Sequence, residues 1–469
     1  MLLRFFRIND PYRLLGLLLL MGGLSLPFFI DPAEVMWQEL RNMVIGHVVR
    51  SGNLMYVEIF DSTPPLSSIF FAMIEGMFGK TLGAYRLLAL IILFFQASFF
   101  AILLINNKAY TDSSYVPALV FGLLCFFSFD MLSLSPELMA STILLLALNN
   151  LFKEIEFKIQ RDEIILNLGV YLGVATLLVF SYAIFFLATI LILTIFTRMG
   201  IRKFLLLFLG YTLPHLLLWG FYFYQGETGM LWQNFYAPNL TINGEFILTA
   251  KTLFYLSFIP IIYFIFSLFM LNREARFTKY QSQLFQVMFF WMVCAVIHLF
   301  IARELTPHSF IVFVPPLAYF ISHYLLLIRR KWIAETMLWI FIIGLLGVNL
   351  LSSNGKLTTI DYAALFPKES KYTSAIKNKR VMMLADDIAI YKENSMAGCF
   401  LDWRLAKGVL KQPDVYENVI LVANSLQHNP PDVIVDPADL MRNYFERIPA
   451  LKSRYKREGE FYWLIPTAN

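Results

Sequence analysis

The chain has 469 residues, of which 58% are hydrophobic and only 15% charged, and its mean hydropathy is +0.63. This composition excludes a soluble globular protein and predicts a polytopic membrane protein. The net charge of +5 and the three scattered cysteines point to no nucleic-acid partner, disulfide framework or metal-ligand spacing.

The first apolar run follows Arg4, Arg7 and Arg13 and extends from Leu14 to Ile30. No small-residue cleavage site follows it, so we expect an uncleaved first membrane helix over 12–30. Further runs long enough to span a bilayer occur near 84–106, 114–131, 137–152, 165–180, 183–197, 203–223, 250–271, 284–302, 309–328 and 332–352. The sequence therefore predicts about 11 transmembrane helices.

The first loop, residues 31–83, is predicted to contain two helices that do not span the membrane. Asp31-Pro32-Ala33-Glu34 matches a helix start, and an apolar stripe follows it, so we expect an amphipathic helix over 32–50. Pro64-Pro65 opens an apolar run that ends at Gly79. A helix over this run would be about 21 Å long, too short for a bilayer core of about 30 Å.

The distribution of basic residues predicts the topology. With a cytoplasmic N-terminus, the segments at Lys108, 153–161, 198–203, 273–279 and 329–331 are cytoplasmic and all basic, and the opposite loops are nearly free of Lys and Arg. This agreement holds only if the Pro64–Gly79 helix does not cross, so we expect an interfacial or re-entrant helix on the outer face. The chain end then lies outside, and the lack of cysteine pairs and retention signals favours a bacterial inner membrane with a periplasmic tail.

The tail, residues 353–469, differs in composition from the transmembrane domain, residues 1–352. Strand patterns occur in KRVMMLADD, ENVILVAN, DVIVD and EFYWLI, and a helix pattern occurs in ADLMRNYFERIPALKSRY. We expect a small extracytoplasmic α/β domain.

Acidic residues gather in the predicted outer loops. The first loop contains Asp31, Glu34, Glu39, Glu58 and Asp61, and the second region contains Asp130 and Glu137. Ionisable groups at membrane depth are costly unless they line a wet cavity, so they indicate a functional site. Five of them also have a structural interpretation: a helix cap for Asp31, Glu34 and Glu137, a turn for Asp61, and a solvated helix face for Glu39.

The order of these features resembles the GT-C superfamily of membrane glycosyltransferases, in particular the branch with protein O-mannosyltransferases and the lipid A aminoarabinose transferase. The pattern spans about residues 12–330. Its elements are Gln38-Glu39, Tyr56, Pro64-Pro65-Leu66, Phe78-Gly79, Ala84-Tyr85-Arg86-Leu87, Glu137, Arg303, His308 and Pro315-Pro316.

The resemblance implies transfer of a hexosyl or pentosyl group from a polyprenyl-phosphate donor to a glycan, lipid or protein acceptor at the outer face of the bilayer. It makes Glu39 the catalytic base or site organiser and Glu137 the second-loop acid. Asp31, Glu34 and Asp61 are alternative acids. Arg86 and Arg303 are candidate ligands of the donor phosphate, although each could instead anchor a helix. Tyr56, Pro64, Pro65 and His308 would line the substrate cavity, although His308 also suits a structural role.

The sequence departs from the family at two positions. Gln38 stands where the family has the aspartate of an Asp-Glu pair, and the second-loop acid is Glu137 rather than aspartate. A non-catalytic GT-C-like membrane subunit is therefore an alternative. A lipid-linked saccharide transporter is another, but it would place charged or broken helices at mid-membrane. No cofactor is certain, and a divalent cation stays open.

Overall fold

The computed structural model describes residues 1–156, 161–197, 199–241, 245–274, 276–357 and 359–465, and most of them are helical. Residues 157–160, 198 and 275, within three of the predicted cytoplasmic segments, lie outside this description. The helices are α1 (Leu2–Phe6), α2 (Arg13–Ile30), α3 (Trp37–Arg50), α4 (Pro65–Phe78), α5 (Leu82–Asn106), α6 (Val116–Leu124), α7 (Pro136–Ile155), α8 (Asp162–Leu178), α9 (Ala183–Thr197), α10 (Ile201–Gln225), α11 (Thr228–Leu231), α12 (Ala237–Leu240), α13 (Ala250–Glu274), α14 (Lys279–Ile301), α15 (Val314–Leu327), α16 (Lys331–Ser353), α17 (Trp403–Leu410), α18 (Tyr416–His428), α19 (Met441–Arg447) and α20 (Pro449–Lys452).

Strands are few and short. They are β1 (Glu245–Phe246), β2 (Glu304–Leu305), β3 (Arg380–Met383), β4 (Ser395–Met396), β5 (Val433–Val435), β6 (Tyr455–Glu458) and β7 (Phe461–Leu464). Strands β1 and β2 form a parallel pair, and the other five form one sheet in the order β4-β3-β5-β7-β6. The predicted class, a polytopic helical protein with a small α/β region near its C-terminus, is confirmed.

Nine helical segments of the described chain are long and apolar enough to cross a membrane, against about eleven predicted. They are 13–30, 82–106, 136–155, 180–197, 201–225, 250–274, 279–301, 307–327 and 331–353. The run at 114–131 forms only the nine-residue helix α6, followed by a 3₁₀ turn at Phe129–Leu132. The run at 165–180 forms α8, whose 17 residues extend about 26 Å, slightly less than a bilayer core.

The described chain divides into two compact units. The membrane unit comprises residues 1–34, 81–217 and 242–365. The loop-tail unit comprises residues 35–80, 218–241 and 366–469. The division at 352 that the sequence predicts stays a prediction.

Glycines bring two helices of the membrane unit into backbone contact. A Cβ on Gly169 of α8 would lie 2.3 Å from the Leu207 carbonyl oxygen of α10. A Cβ on Gly210 of α10 would lie 2.3 Å from the Leu166 carbonyl oxygen. Gly173, one turn after Gly169, makes a similar approach to α10. Only glycine allows such close packing, which is a common way to join helices in lipid.

Helices α3 and α4 pack closely in the loop-tail unit. A Cβ on Gly46 of α3 would lie 2.6 Å from the carbonyl oxygen of Phe71 in α4. Helix α4 has Pro65 at its first position, where the missing amide costs nothing. It ends at Gly79, whose φ of 62° favours glycine. The predicted short helix is therefore confirmed, and its place at the membrane surface stays a prediction.

The predicted start of the preceding helix is wrong. Helix α3 begins at Trp37 rather than Pro32, and Met36 is its N-cap residue with an extended backbone. The Glu39 carboxylate accepts a hydrogen bond from the Met36 amide at 3.0 Å, so it satisfies a donor that the helix leaves unpaired. Asp31 instead follows the end of α2, where its amide donates to the Pro27 carbonyl.

The C-terminal sheet confirms three predicted strands and corrects a fourth. KRVMMLADD contains β3, DVIVD contains β5 and EFYWLI contains β7. ENVILVAN, predicted as a strand, belongs to α18. Val422 and Leu426 are buried four residues apart on α18, so the helical period places its apolar side chains against the sheet core. This tertiary contact outweighs the β-preference of Val and Ile.

Candidate active site

The site residues predicted from the sequence fall into two groups. The membrane unit contains Asp31, Glu34, Arg86, Glu137, Arg303 and His308. The loop-tail unit contains Glu39, Tyr56, Asp61, Pro64 and Pro65.

Glu39 is buried at the start of α3 and makes the hydrogen bond to the Met36 amide described above. Its carboxylate therefore holds the first turn of the helix, a role that the sequence analysis did not assign to it. Asp31 and Glu34 are exposed. The first loop thus has one buried carboxylate in α3 and two solvated ones before it.

Asp61 is fully buried and forms a two-pronged ion pair with Arg41. Arg41 Nε and Nη2 donate to the Asp61 carboxylate at 3.0–3.1 Å, and the Thr63 amide donates to it at 2.7 Å. Such forked pairs fix the geometry of both side chains. Arg41 also lies 5.3 Å from the centre of the Trp37 ring. The predicted turn at Asp61 is present, and it is joined to α3 by the arginine.

A second carboxylate approaches the same arginine from the tail. Asp402 Oδ2 lies 3.7 Å from Arg41 Nη2 and 3.4 Å from the Ser62 hydroxyl. Asp402 also caps α17 by accepting a hydrogen bond from the Arg404 amide at 2.9 Å. The sequence analysis did not single out Arg41 or Asp402. The sequence offered only a capping signal, Asp402 before an amphipathic helix, and nothing that indicated its contact with the first loop.

Glu75 forms another cluster that the sequence analysis did not single out. His47 Nδ1 lies 3.0 Å from its carboxylate, and Arg50 Nη1 donates to it at 2.7 Å. Burial disfavours the ionised form of Glu75, but the hydrogen bonds from Arg50 and His47 outweigh it and lower its pKa. These contacts explain how an apolar helix accommodates a carboxylate: it fastens α4 to the last turn of α3.

Tyr56, Pro64 and Pro65 shape the segment that joins α3 to α4. Tyr56 is buried with a φ of 68°, and its hydroxyl donates to the Thr63 carbonyl at 2.7 Å. Its own carbonyl accepts from Asn234 Nδ2 at 2.6 Å, and its ring stacks on Phe235 at 5.4 Å. These contacts hold the segment in one conformation.

Asp130 and His308 meet in the membrane unit. The His308 amide donates to Asp130 Oδ2 at 3.0 Å, and the ring nitrogen Nε2 lies 3.0 Å from the Ser133 carbonyl. Ser135 Oγ lies 3.4 Å from the other ring nitrogen. Burial raises the pKa of Asp130. His308 thus connects the turn before α7 to the start of the 3₁₀ segment Pro307–Phe313.

Glu137 occupies the second position of α7, directly after Pro136. Ser135, not Glu137, is the side-chain cap: its hydroxyl accepts from the Leu138 amide at 3.1 Å. Glu137 is partly exposed, but its Oε2 is enclosed and has no hydrogen-bond partner among the described residues. Glu137 therefore keeps a carboxylate oxygen that the fold does not use, as the more deeply buried Asp130 does with its Oδ1.

The two predicted phosphate ligands differ in their surroundings. Arg86 is buried, and its Nη2 donates to the carbonyls of Ala33 and Glu34 at 3.0 and 3.4 Å. It therefore holds the backbone that follows α2. Arg303 is half-buried between the end of α14 and β2. Among the described residues, no group of three or more His, Cys, Asp and Glu side chains comes together in a way that could hold a metal ion.

A cavity of about 460 Å³ opens in the loop-tail unit. Glu58, Glu227 and Glu417 line it together with asparagine, histidine and aliphatic side chains. Its described lining contains no lysine and no arginine, and Glu58 is the one acid in it that the sequence analysis named. It is therefore suited to neutral or cationic groups rather than to a phosphate.

No protein-family model matches the sequence, and no curated protein matches it. The fold is similar to two crystal structures of ArnT from Cupriavidus metallidurans, each at 12% identity and covering 96% of this chain. The structure bound to undecaprenyl phosphate has a TM-score of 0.55 over 98% of that chain, and the apo structure 0.56 over 97%. The apo oligosaccharyltransferase of Archaeoglobus fulgidus matches at a TM-score of 0.45 and 10% identity, over 78% of this chain and 57% of that chain. This chain therefore shares the overall fold of the two ArnT structures, which agrees with the resemblance stated from the sequence.

Proposed function

We propose that this protein is a membrane glycosyltransferase that moves a sugar from a polyprenyl-phosphate donor to an acceptor on the outer face of a bacterial inner membrane. The observation that carries the proposal is the fold shared with ArnT, which covers 96% of this chain and includes a complex with undecaprenyl phosphate. A lipid that occupies this fold in a neighbour supports a lipid-phosphate donor here. The sugar is a hexose or pentose, and the acceptor is a glycan, a lipid or a protein.

The proposed reaction needs little beyond a base and a cation. An acceptor hydroxyl oxygen attacks the anomeric carbon of the sugar, and the bond between that carbon and the phosphate oxygen breaks. The electron pair leaves with the lipid phosphate, and the hydroxyl proton passes to a carboxylate. A positioned base contributes about 10²–10⁴-fold to such a step, and a cation beside the leaving phosphate stabilises its charge.

Glu137 is the best-placed base in this proposal. Its Oε2 has no hydrogen-bond partner among the described residues, and its side chain is partly exposed. Glu39, which the family resemblance favoured, supports the start of α3, and Asp61 is held by Arg41. A carboxylate that already accepts these hydrogen bonds is less free to move toward a substrate. Glu39 therefore acts as a site organiser in this proposal.

Arg303 is the preferred ligand of the donor phosphate. Arg86 is buried and donates to two backbone carbonyls, whereas Arg303 is half-buried at the end of α14. A guanidinium at a helix end can reach a lipid headgroup and bind it in two-pronged fashion. The positive-inside distribution supports a cytoplasmic N-terminus and an outer position for the loop-tail unit.

The test compares two variants in lipid nanodiscs, in each of which an uncharged glutamine replaces a glutamate. Purified protein is given a panel of labelled polyprenyl-phosphate sugars with membrane extract as acceptor source. Glu137→Gln should lower transfer by about 10²–10⁴-fold, because the base is lost. Glu39→Gln is the matched control: its amide oxygen still accepts from the Met36 amide, so transfer should stay within a few-fold of wild type.

Two results would contradict this assignment. Full transfer by Glu137→Gln with loss in Glu39→Gln would return the base to the first loop. No transfer by wild type with any donor would favour a non-catalytic membrane subunit. That alternative is supported by one observation, the engagement of both buried first-loop acids, Glu39 and Asp61, in structural hydrogen bonds.

A further inference from the structure

Several described side chains of the membrane unit have buried polar atoms without a hydrogen-bond partner, and three of these side chains lie at helix ends near one another. The atoms in these three are Oε2 of Glu137, the hydroxyl of Tyr182 and both ring nitrogens of His298. Glu137 begins α7, Tyr182 ends the 3₁₀ turn before α9, and His298 lies in the last turn of α14. The predicted topology places these three helix ends on the same, outer side of the membrane.

The three groups are neighbours. The rings of Tyr182 and His298 meet edge to face, with centres 5.0 Å apart and planes at 75°. The Glu137 carboxylate is close enough to the Tyr182 hydroxyl to interact with it electrostatically. The His298 ring also lies beside the Ser181 backbone, but neither nitrogen makes a hydrogen bond of normal length and angle.

The three side chains of this cluster, Glu137, Tyr182 and His298, differ in burial. Tyr182 and His298 are 0% and 1% exposed, whereas Glu137 is partly exposed. Phe185 packs against Tyr182 with ring centres 5.7 Å apart, and Trp291 packs against Phe185 at 4.7 Å. The carboxylate therefore belongs to the most exposed residue of the cluster, and aromatic rings pack against its buried members.

These polar atoms lower stability as long as they lack partners. A buried donor or acceptor that loses its hydrogen bond costs about 1–3 kcal/mol. Phenylalanine at position 182 and an aliphatic residue at 298 would avoid that cost while filling similar space. The cluster is therefore suited to a polar group that completes these hydrogen bonds.

The chemistry of the three side chains determines which class of group can bind. Glu137 offers an acceptor, Tyr182 offers a donor and an acceptor, and the neutral His298 ring offers one of each. The single formal charge is negative, so a phosphate would be repelled. An alcohol fits, because it can donate to the carboxylate and accept from the phenol.

We propose that Glu137, Tyr182 and His298 form a subsite that binds a hydroxyl group of a sugar. The proposal deepens the proposed function and rests on it, since it brings the hydroxyl beside the carboxylate proposed as base. The sugar belongs either to the polyprenyl-phosphate donor or to the acceptor saccharide, and both sources present the same chemistry.

The experiment measures binding rather than turnover, so it can succeed even if no transfer is found. Wild type, Tyr182→Phe and Tyr263→Phe are compared in nanodiscs as full chains. The probes are undecaprenyl phosphate, undecaprenyl-phosphate hexoses and pentoses, and a panel of neutral methyl glycosides. Tyr263→Phe is the matched control, because that buried hydroxyl donates to the Met337 carbonyl at 2.7 Å.

Tyr182→Phe should leave the melting temperature of the ligand-free protein unchanged or raise it, and Tyr263→Phe should lower it. Tyr182→Phe should weaken binding of a sugar probe by about 5–20-fold and leave binding of undecaprenyl phosphate unchanged. A loss confined to sugar-bearing lipids identifies the donor as the source, and a loss confined to methyl glycosides identifies the acceptor.

Three outcomes would overturn the subsite. The first is equal weakening for undecaprenyl phosphate and the sugar-bearing lipids. The second is a Tyr182→Phe variant that melts lower but binds every probe as wild type does. The third is the absence of saturable sugar binding by wild type. Transfer that fails while Tyr182-dependent sugar binding persists would count against the proposed function alone.

Discussion

Replacing Arg41 with methionine should destabilise the loop-tail unit more than a typical surface substitution. Arg41 makes three hydrogen bonds to the fully buried Asp61, and Asp402 lies 3.7 Å away. The substitution leaves a buried carboxylate without its cation, and breaking such a pair costs about 3–5 kcal/mol. Asp402 would keep Arg404 as a partner, so the cost falls mainly on Asp61.

The size of the effect can be measured as a shift in the melting temperature. A domain of 150–250 residues loses about 2–4 °C per kcal/mol, so the variant should melt about 6–20 °C lower. Unfolding of this unit is measured by brief heating in nanodiscs followed by limited proteolysis of the tail. The control is Arg41→Met combined with Asp61→Leu, which removes both charges and should recover most of the loss.

Two results would refute this reasoning. A shift of about 1 °C or less for Arg41→Met would mean that Asp61 finds another partner or reaches water. A double variant that melts as low as the single one would mean that Arg41 stabilises the unit through its packing on Trp37 rather than through Asp61.

Three further predictions concern packing and charge. Gly46→Ala should lower the melting temperature by several degrees, because the new Cβ would lie 2.6 Å from a carbonyl oxygen of α4. Gly169→Val should impair folding of the membrane unit for the same reason, whereas Gly23→Ala, with nothing within 4 Å, should be neutral. Because the pKa of Glu75 is lowered, its ion pair with Arg50 should stabilise fully above about pH 4.5 and weaken as pH falls further, a dependence that Glu75→Gln should abolish in pH-dependent melting.

Local features of the fold could be predicted from the sequence because a few neighbouring residues determine them. Pro65 and Gly79 mark the two ends of α4, and each acts through its own backbone. Ser135-Pro136 similarly marks the start of α7. In each case the signal and the structure that it specifies lie within one or two turns of the chain.

Contacts between distant segments could not be predicted in this way. Arg41 pairs with Asp61 rather than with another acid of the first loop, and Asp402 of the tail lies beside the pair. No periodicity in the sequence connects these positions. Glu39 shows the same limit at short range, since its carboxylate serves the Met36 amide only because α3 starts later than the sequence suggested. The ENVILVAN segment is helical because its apolar side chains pack against the sheet. The sheet strands are distant in sequence, so the segment alone does not indicate this contact.

The pairing of Phe60 with Phe400 has a consequence for the timing of synthesis. The Phe60 amide donates to the Cys399 carbonyl, and its own carbonyl accepts from the Asp402 amide. Ser62 and its partner Asp402 are 340 positions apart, so a ribosome working at about 5–20 residues per second separates them by about 17–70 s. During that interval the first loop lacks the strand-like partner that later fixes it. A chain that stops before residue 400 would leave Asp61 and its neighbours without that partner, accessible to proteases and chaperones.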